Sequence, residues 1–237
     1  FSIIKNNKKL LLVYKAIKET KRKLDKKTSL IGFVGAPLTV SFFMFDSKRK
    51  KKYSKILTFF KNNKRKTLQL FKLLENATAE HALGQINAGA QVIQIFDTWA
   101  SVARKGDLNT FSINPIKRIS GIIKKKKPNV PIIVFPRNVG PRYGEYIHKH
   151  IDCISVGEDI KKKEIKKIQE KKIIQGNLPP RALLKGGKKL ETEIKKVLNN
   201  FSGKPFIFNL SHGIMPKTPI KNVEKLLKII RNYKYEI

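Results

Sequence analysis

The chain has 237 residues, 41% of them hydrophobic, which is enough for a sizeable core and too apolar for a disordered polymer. Its single cysteine, Cys153, excludes a disulfide framework and a cysteine-rich zinc site and fits a reducing, cytoplasmic setting. No apolar run reaches the roughly 18 residues of a spanning helix, so no membrane partner is expected.

The formal charge of +35 invites a nucleic-acid reading, but its distribution argues against one. Only nine of the 52 basic residues are arginine, and the lysines spread over every candidate helix and loop. The runs at 48–52, 124–127 and 161–172 lie in three separate places, as solvated surface charge does. No specific nucleic-acid partner is expected.

Taken in chain order, residues 10–24 have the spacing of an amphipathic helix, and 30–34 form a short apolar run ending at Gly35-Ala36-Pro37-Leu38-Thr39. A helical stretch at 68–88 precedes a second run, 91–96, which stops at Asp97-Thr98-Trp99-Ala100. Residues 111–126 are again helical, and the run 131–135 is followed by Arg137-Asn138. Further runs occupy 151–156 and 172–176, the latter closing on Gln175-Gly176-Asn177-Leu178. After a helical stretch at 188–200 the last run, 205–210, meets a polar Ser211-His212-Gly213 turn. Thr218-Pro219 then reads as a helix start, with Pro219 in the first turn of a helix over 223–233.

The six runs are rich in Ile, Val and Phe and too short for helices, so they read as strands buried on both faces. Their alternation with helices calls for a parallel sheet with crossover helices. Gly32-Phe33-Val34-Gly35-Ala36-Pro37 lacks the third glycine of a dinucleotide fingerprint, which weakens a nucleotide-binding open sheet. The expected fold is therefore α/β, a (β/α)8 TIM-type barrel. Six βα units are two short of closure and the chain begins at Phe1, so one or two N-terminal units are expected to be missing.

In a parallel barrel, chemistry collects at the carboxyl ends of the strands. Here small polar groups and glycines recur where the apolar residues stop, as suits a pocket lined by amides and hydroxyls. Each has a plainer alternative: Asp97 and Asn177 as helix caps, Thr98 closing a turn, Arg137 solvated, His212 bonded to its own loop.

At these residues the chain resembles the uroporphyrinogen decarboxylase family. Leu30 through Thr39 is similar to the family's LIGF-x-GAP-[FW]-T, and Gln85 to Ala90 with Gln94 to Ala100 resembles Q-x-x-AGA and Q-x-FDSWAG. Gln175 to Pro180 resembles QGNLDP, and Asn209 to Pro219 resembles NLGHGILPETP. The four blocks stand in the family's order. The resemblance implies a single cofactor-free, metal-free barrel domain over 1–237, a cytoplasmic homodimer. Its reaction would take carboxylate from the four acetate side chains of uroporphyrinogen III to give coproporphyrinogen III in haem biosynthesis.

Carried over residue by residue, the resemblance makes His212, Thr98 and Phe43 substrate-binding, gathered at one mouth of the barrel. Phe43 stands where the family usually has tyrosine, so the ring is kept and the phenolic donor lost. Gly157 stands where the family often has aspartate, and Pro179 replaces the aspartate of QGNLDP. The family's arginine-bearing RQAGRY-like segment and its catalytic aspartate in an FSDI-like segment have no clear counterpart. Phe1-Ser2-Ile3-Ile4 matches the latter only faintly, so the catalytic groups are expected outside this chain.

Two other readings compete. A corrinoid or methionine-type methyltransferase on the same barrel would need zinc ligands that one cysteine, with His150-Ile151-Asp152-Cys153 at the wrong spacing, does not supply. A non-catalytic, charge-drifted remnant or polyanion-binding module draws on Phe43, Gly157 and the +35 charge.

Overall fold

All six apolar runs form strands: β1 (Ile31–Gly35), β2 (Val92–Asp97), β3 (Ile132–Pro136), β4 (Cys153–Ser155), β5 (Ile173–Leu178) and β6 (Phe206–Leu210). The computed structural model describes residues 7–45, 53–103 and 106–233, so the lysine run at 48–52 and the Phe1-Ser2-Ile3-Ile4 segment lie outside the described residues. The chain divides into two units, one running to Arg137 and including His148–Asp152, the other made of Asn138–Ile147 and the residues from Cys153 onward.

The first unit contains helices α1 (Lys8–Lys23), α2 (Pro37–Phe45), α3 (Tyr53–Asn62) and α4 (Lys64–Asn87). After β2 come a single turn, α5 (Gly106–Leu108), a π turn (Asn109–Ile113) and α6 (Asn114–Lys126). Strands β1, β2 and β3 pair in parallel, with Val34 opposite Ile95 and Ile95 opposite Val134. Ile93, Ile95, Ile132 and Val134 are buried, as are Phe71, Ala79 and Ala82 of α4 and Ile116, Ile119 and Ile123 of α6. Each fully buried isoleucine of this layer contributes on the order of 2 kcal/mol. Arg118 of α6 grips Glu75 of α4 through Nε and Nη2, both at 2.7 Å.

Helix α4 also completes the hydrogen bonding of β1. The Leu30 carbonyl and the Ala36 N–H bond to the β2 segment, so the odd-numbered backbone groups between them face the other way. There the Gln85 amide donates to the Phe33 carbonyl at 2.7 Å and its carbonyl accepts from the Phe33 N–H at 3.0 Å. Thr78 donates to the Gly35 carbonyl at 3.4 Å. Gly32 makes this approach possible, since a Cβ there would lie 2.7 Å from Gln85 Oε1.

In the second unit β4, β5 and β6 pair in parallel, with Ile154 opposite Ile174 and Gly176 opposite Phe208. Helices α7 (Lys162–Gln169), α8 (Pro180–Lys185), α9 (Gly187–Phe201) and α10 (Ile220–Arg231) follow the same strand–helix alternation. Ile165 and Ile168 of α7 and Leu190, Ile194, Leu198 and Phe201 of α9 are buried with Ile154 and Ile174.

Three expectations need correction. Strands β1 and β6 are not buried on both faces: Ile31 and Phe33 are 45% and 65% exposed, and β6 has no buried residue. One face of β1 carries α4, while Ile31 and Phe33 stay exposed. The segment from Pro37 forms α2, a helix that periodicity does not announce because it is apolar on nearly every side. The helix expected over 111–126 begins with a π turn, because Pro115 has no N–H to offer an i−4 carbonyl. Pro219 is the N-cap of α10, one position before the first turn.

Candidate active site

At the carboxyl end of β2 the apolar run stops at Asp97, whose side chain is fully buried. Burial of a carboxylate is tolerated when donors surround it. Thr39 of α2 donates to Asp97 Oδ1 at 2.7 Å, and Ser112, presented by the π turn, donates to Oδ2. Burial outweighs these two hydroxyls and raises the carboxyl from 3.8 to about 6. Asp97 is thus neither a helix cap nor a solvated rim group. The sequence reading missed this role, although the threonine of the GAP-x-T-like block was its one available signal.

Thr98, the next residue, is half-buried in the turn that follows β2. Thr39 Oγ1 also accepts from the Trp99 N–H at 3.4 Å, so one hydroxyl bonds the residues on both sides of Thr98. The Trp99 ring lies 4.1 Å from that of Tyr53, which is 5.2 Å from Phe42 of α2. Phe43 follows Phe42 and is 50% exposed, one helical turn beyond Thr39. Phe43 and Thr98 therefore stand on two elements of the first unit that Thr39 ties together.

His212 belongs to the second unit, in the turn after β6, and is exposed. Its Nδ1 accepts from the Gly213 N–H, which leaves Nε2 to carry the ring proton in the neutral form. That tautomer can donate to a carboxylate. Ser211 anchors the turn, its N–H donating to the Leu178 carbonyl and its hydroxyl to Glu158 Oε1, each at 2.8 Å. Glu158 was missed by the sequence reading, since nothing in the local pattern distinguishes it from other surface acids.

Near the β4 and β5 ends, backbone and side chains interlock. Tyr143 donates to Asp159 at 2.7 Å and accepts from the Gly157 N–H at 2.9 Å, while Asn177 donates to the Gly157 carbonyl at 2.8 Å. Burial, with the Asp159 carboxylate beside it, pushes the Tyr143 hydroxyl far above its usual range, so it stays protonated. A Cβ at Gly157 would lie 2.6 Å from Asp159 Oδ1 and 2.9 Å from the Tyr143 hydroxyl, so an aspartate does not fit this arrangement. Gly176 has φ +138°, and a Cβ there would lie 2.7 Å from the Val156 carbonyl oxygen, a place for glycine alone. A cleft of about 700 Å³ opens here, lined among others by Glu158, Asn177, Lys162, Arg181 and Lys189. Pro179 also lines it, and His212 does not.

Cys153 is buried in β4, and among the described residues no group of three His, Cys, Asp or Glu side chains could hold a metal ion. No helix of the described residues is long and apolar enough to cross a membrane.

Comparison with known proteins gives the family. The family model for uroporphyrinogen decarboxylase matches residues 2–233. The uroporphyrinogen decarboxylase of Rickettsia bellii (strain RML369-C) is 38% identical over 232 residues, covering 98% of this chain and 68% of its own. That of Orientia tsutsugamushi (strain Boryong) is also 38% identical, covering 96% of this chain and 67% of its own. The chain thus spans about two thirds of the length of these curated relatives. Among solved structures, a methyltransferase from Methanosarcina mazei superposes with a TM-score of 0.74 at 25% identity, over 92% of this chain and 63% of that one. A B12-independent methionine synthase from Shewanella sp. W3-18-1 shares the fold, with a TM-score of 0.58 at 14% identity, over 92% of this chain and 66% of that one. On the family match over nearly all of its residues, this α/β chain of the (β/α)8 barrel class belongs to the uroporphyrinogen decarboxylase family of carboxy-lyases.

Proposed function

We propose that the protein of which this chain forms part decarboxylates the four acetate side chains of uroporphyrinogen III, giving coproporphyrinogen III in haem biosynthesis. The observation that carries this reading is the family match over residues 2–233, with relatives named for that reaction at 38% identity. Residues 1–237 belong to a single barrel domain that they do not complete, in a cytoplasmic homodimer.

Loss of carbon dioxide from an acetate arm leaves an electron pair that must be accommodated. A pyrrole protonated beforehand is the electron sink, so the protein has to supply a proton, stabilise a cationic ring and hold many carboxylates. Thr98 contributes a hydroxyl donor, and His212 contributes Nε2–H, its Nδ1 being held by the Gly213 N–H. Phe43 contributes an aromatic face without a phenol. Arg181 and the lysines of the second unit's cleft supply positive potential for a polycarboxylate. Chain-wide excess of lysine strengthens the attraction at low salt and loses force as salt screens it.

The test is anaerobic binding of coproporphyrinogen III, with Thr98→Ala and His212→Ala beside wild type. Each loses one donor to a charged partner, which predicts weakening by about tenfold, near 1.5 kcal/mol. Affinity unchanged in both variants would remove these residues from the site.

A further inference from the structure

We propose that Thr39, Asp97 and Ser112 form a positioning unit that fixes the Asp97-Thr98-Trp99 turn on α2 and thereby sets where the Thr98 hydroxyl meets a substrate carboxylate. The inference deepens the functional reading above and rests on it for the substrate contact alone.

The geometry is that of a clasp. Asp97 is fully buried, and both of its oxygens are taken by hydroxyls from different elements, Thr39 from α2 and Ser112 from the π turn. Having donated to Asp97, the Thr39 hydroxyl still accepts from the Trp99 N–H, so it brackets Thr98. Ser41 of α2 bonds the Leu38 carbonyl and takes no part. A buried carboxylate held by two hydroxyls is costly to disturb and permits little movement of the turn. The π turn fits this role, because the widened turn at Asn109–Ile113 is what presents Ser112 to Asp97. Thr39 donates one bond and accepts another through one oxygen, so valine, of the same shape, severs both while serine keeps them.

Trp99 is the single tryptophan of the chain, so its emission reports on this turn without any substrate. In the full-length protein, with any tryptophan beyond these 237 residues replaced by phenylalanine, acrylamide quenching of Trp99 is expected to rise about twofold in Thr39→Val and to return to the wild-type value in Thr39→Ser. In the same variants KM for uroporphyrinogen III should rise about tenfold and be restored, with kcat changing less, since the loss is one of placement. If Thr39→Val does not fold, Ser112→Ala carries the same expectation. Unchanged quenching in Thr39→Val or, where that variant is unfolded, in Ser112→Ala overturns the inference. Raised quenching with unaltered KM upholds the clasp and places the failure in the reading of Thr98 as a substrate contact.

Discussion

Replacing Asp97 with asparagine should remove a specific pH dependence of stability. In the folded chain this carboxyl protonates near about 6, against 3.8 ordinarily, because burial disfavours its charge. A raised folded-state value means that the contribution to stability is full below the unfolded value and fades as pH rises through the folded one. Linkage gives about 1.4 kcal/mol more stability from this one group at about pH 5 than at about pH 7.5. At this chain length that corresponds to a shift in Tm of roughly 3–6 °C. Urea unfolding of wild type and Asp97→Asn, followed by circular dichroism at both pH values, isolates the effect, since all other groups cancel in the difference. The pH-induced change in the variant should be smaller than in wild type by about 1.4 kcal/mol. An identical pH dependence in the two proteins would refute the assignment of a protonatable buried Asp97.

Gln85→Leu strips both bonds from Phe33 on β1 and should cost about 2–3 kcal/mol, read as a lower urea midpoint and faster exchange of the Phe33 amide. Protection unchanged at Phe33 would show that water serves equally well there. Gly84→Ala puts a Cβ 2.4 Å from the Tyr14 ring, and α1 has no buried residue to hold it. Exchange throughout α1 should accelerate by about tenfold while β2 and β3 keep their protection; an unaltered α1 would mean that Tyr14 simply swings aside. Phe43→Tyr, in the complete enzyme, should raise activity if the lost phenol matters, and equal rates would show that the ring alone suffices.

How far the sequence could be read depended on whether the physics was local. Strand positions were legible because Ile- and Val-rich runs of five or six residues have no other use in an α/β chain. The glycines of the motif blocks were legible as motifs, but their reasons were not: Gly32 exists for Gln85, and Gly176 for the Val156 carbonyl. Helix α2 stayed hidden because uniform apolarity erases periodicity, and α7 because Ile165 and Ile168 lie within a lysine run read as surface charge. Glu158 and Ser211 are 53 residues apart, and no local pattern announces such a bond. Likewise Asp97 looked like a cap, since its partners Thr39 and Ser112 lie 58 and 15 residues away.

The measurement that bears most directly on the function is release of labelled carbon dioxide from uroporphyrinogen III carrying carbon-13 in its acetate carboxyls, incubated anaerobically with the full-length protein. The account predicts one labelled carbon dioxide per acetate arm, with coproporphyrinogen III as the end product. Bound but intact uroporphyrinogen, with no label released, would contradict it.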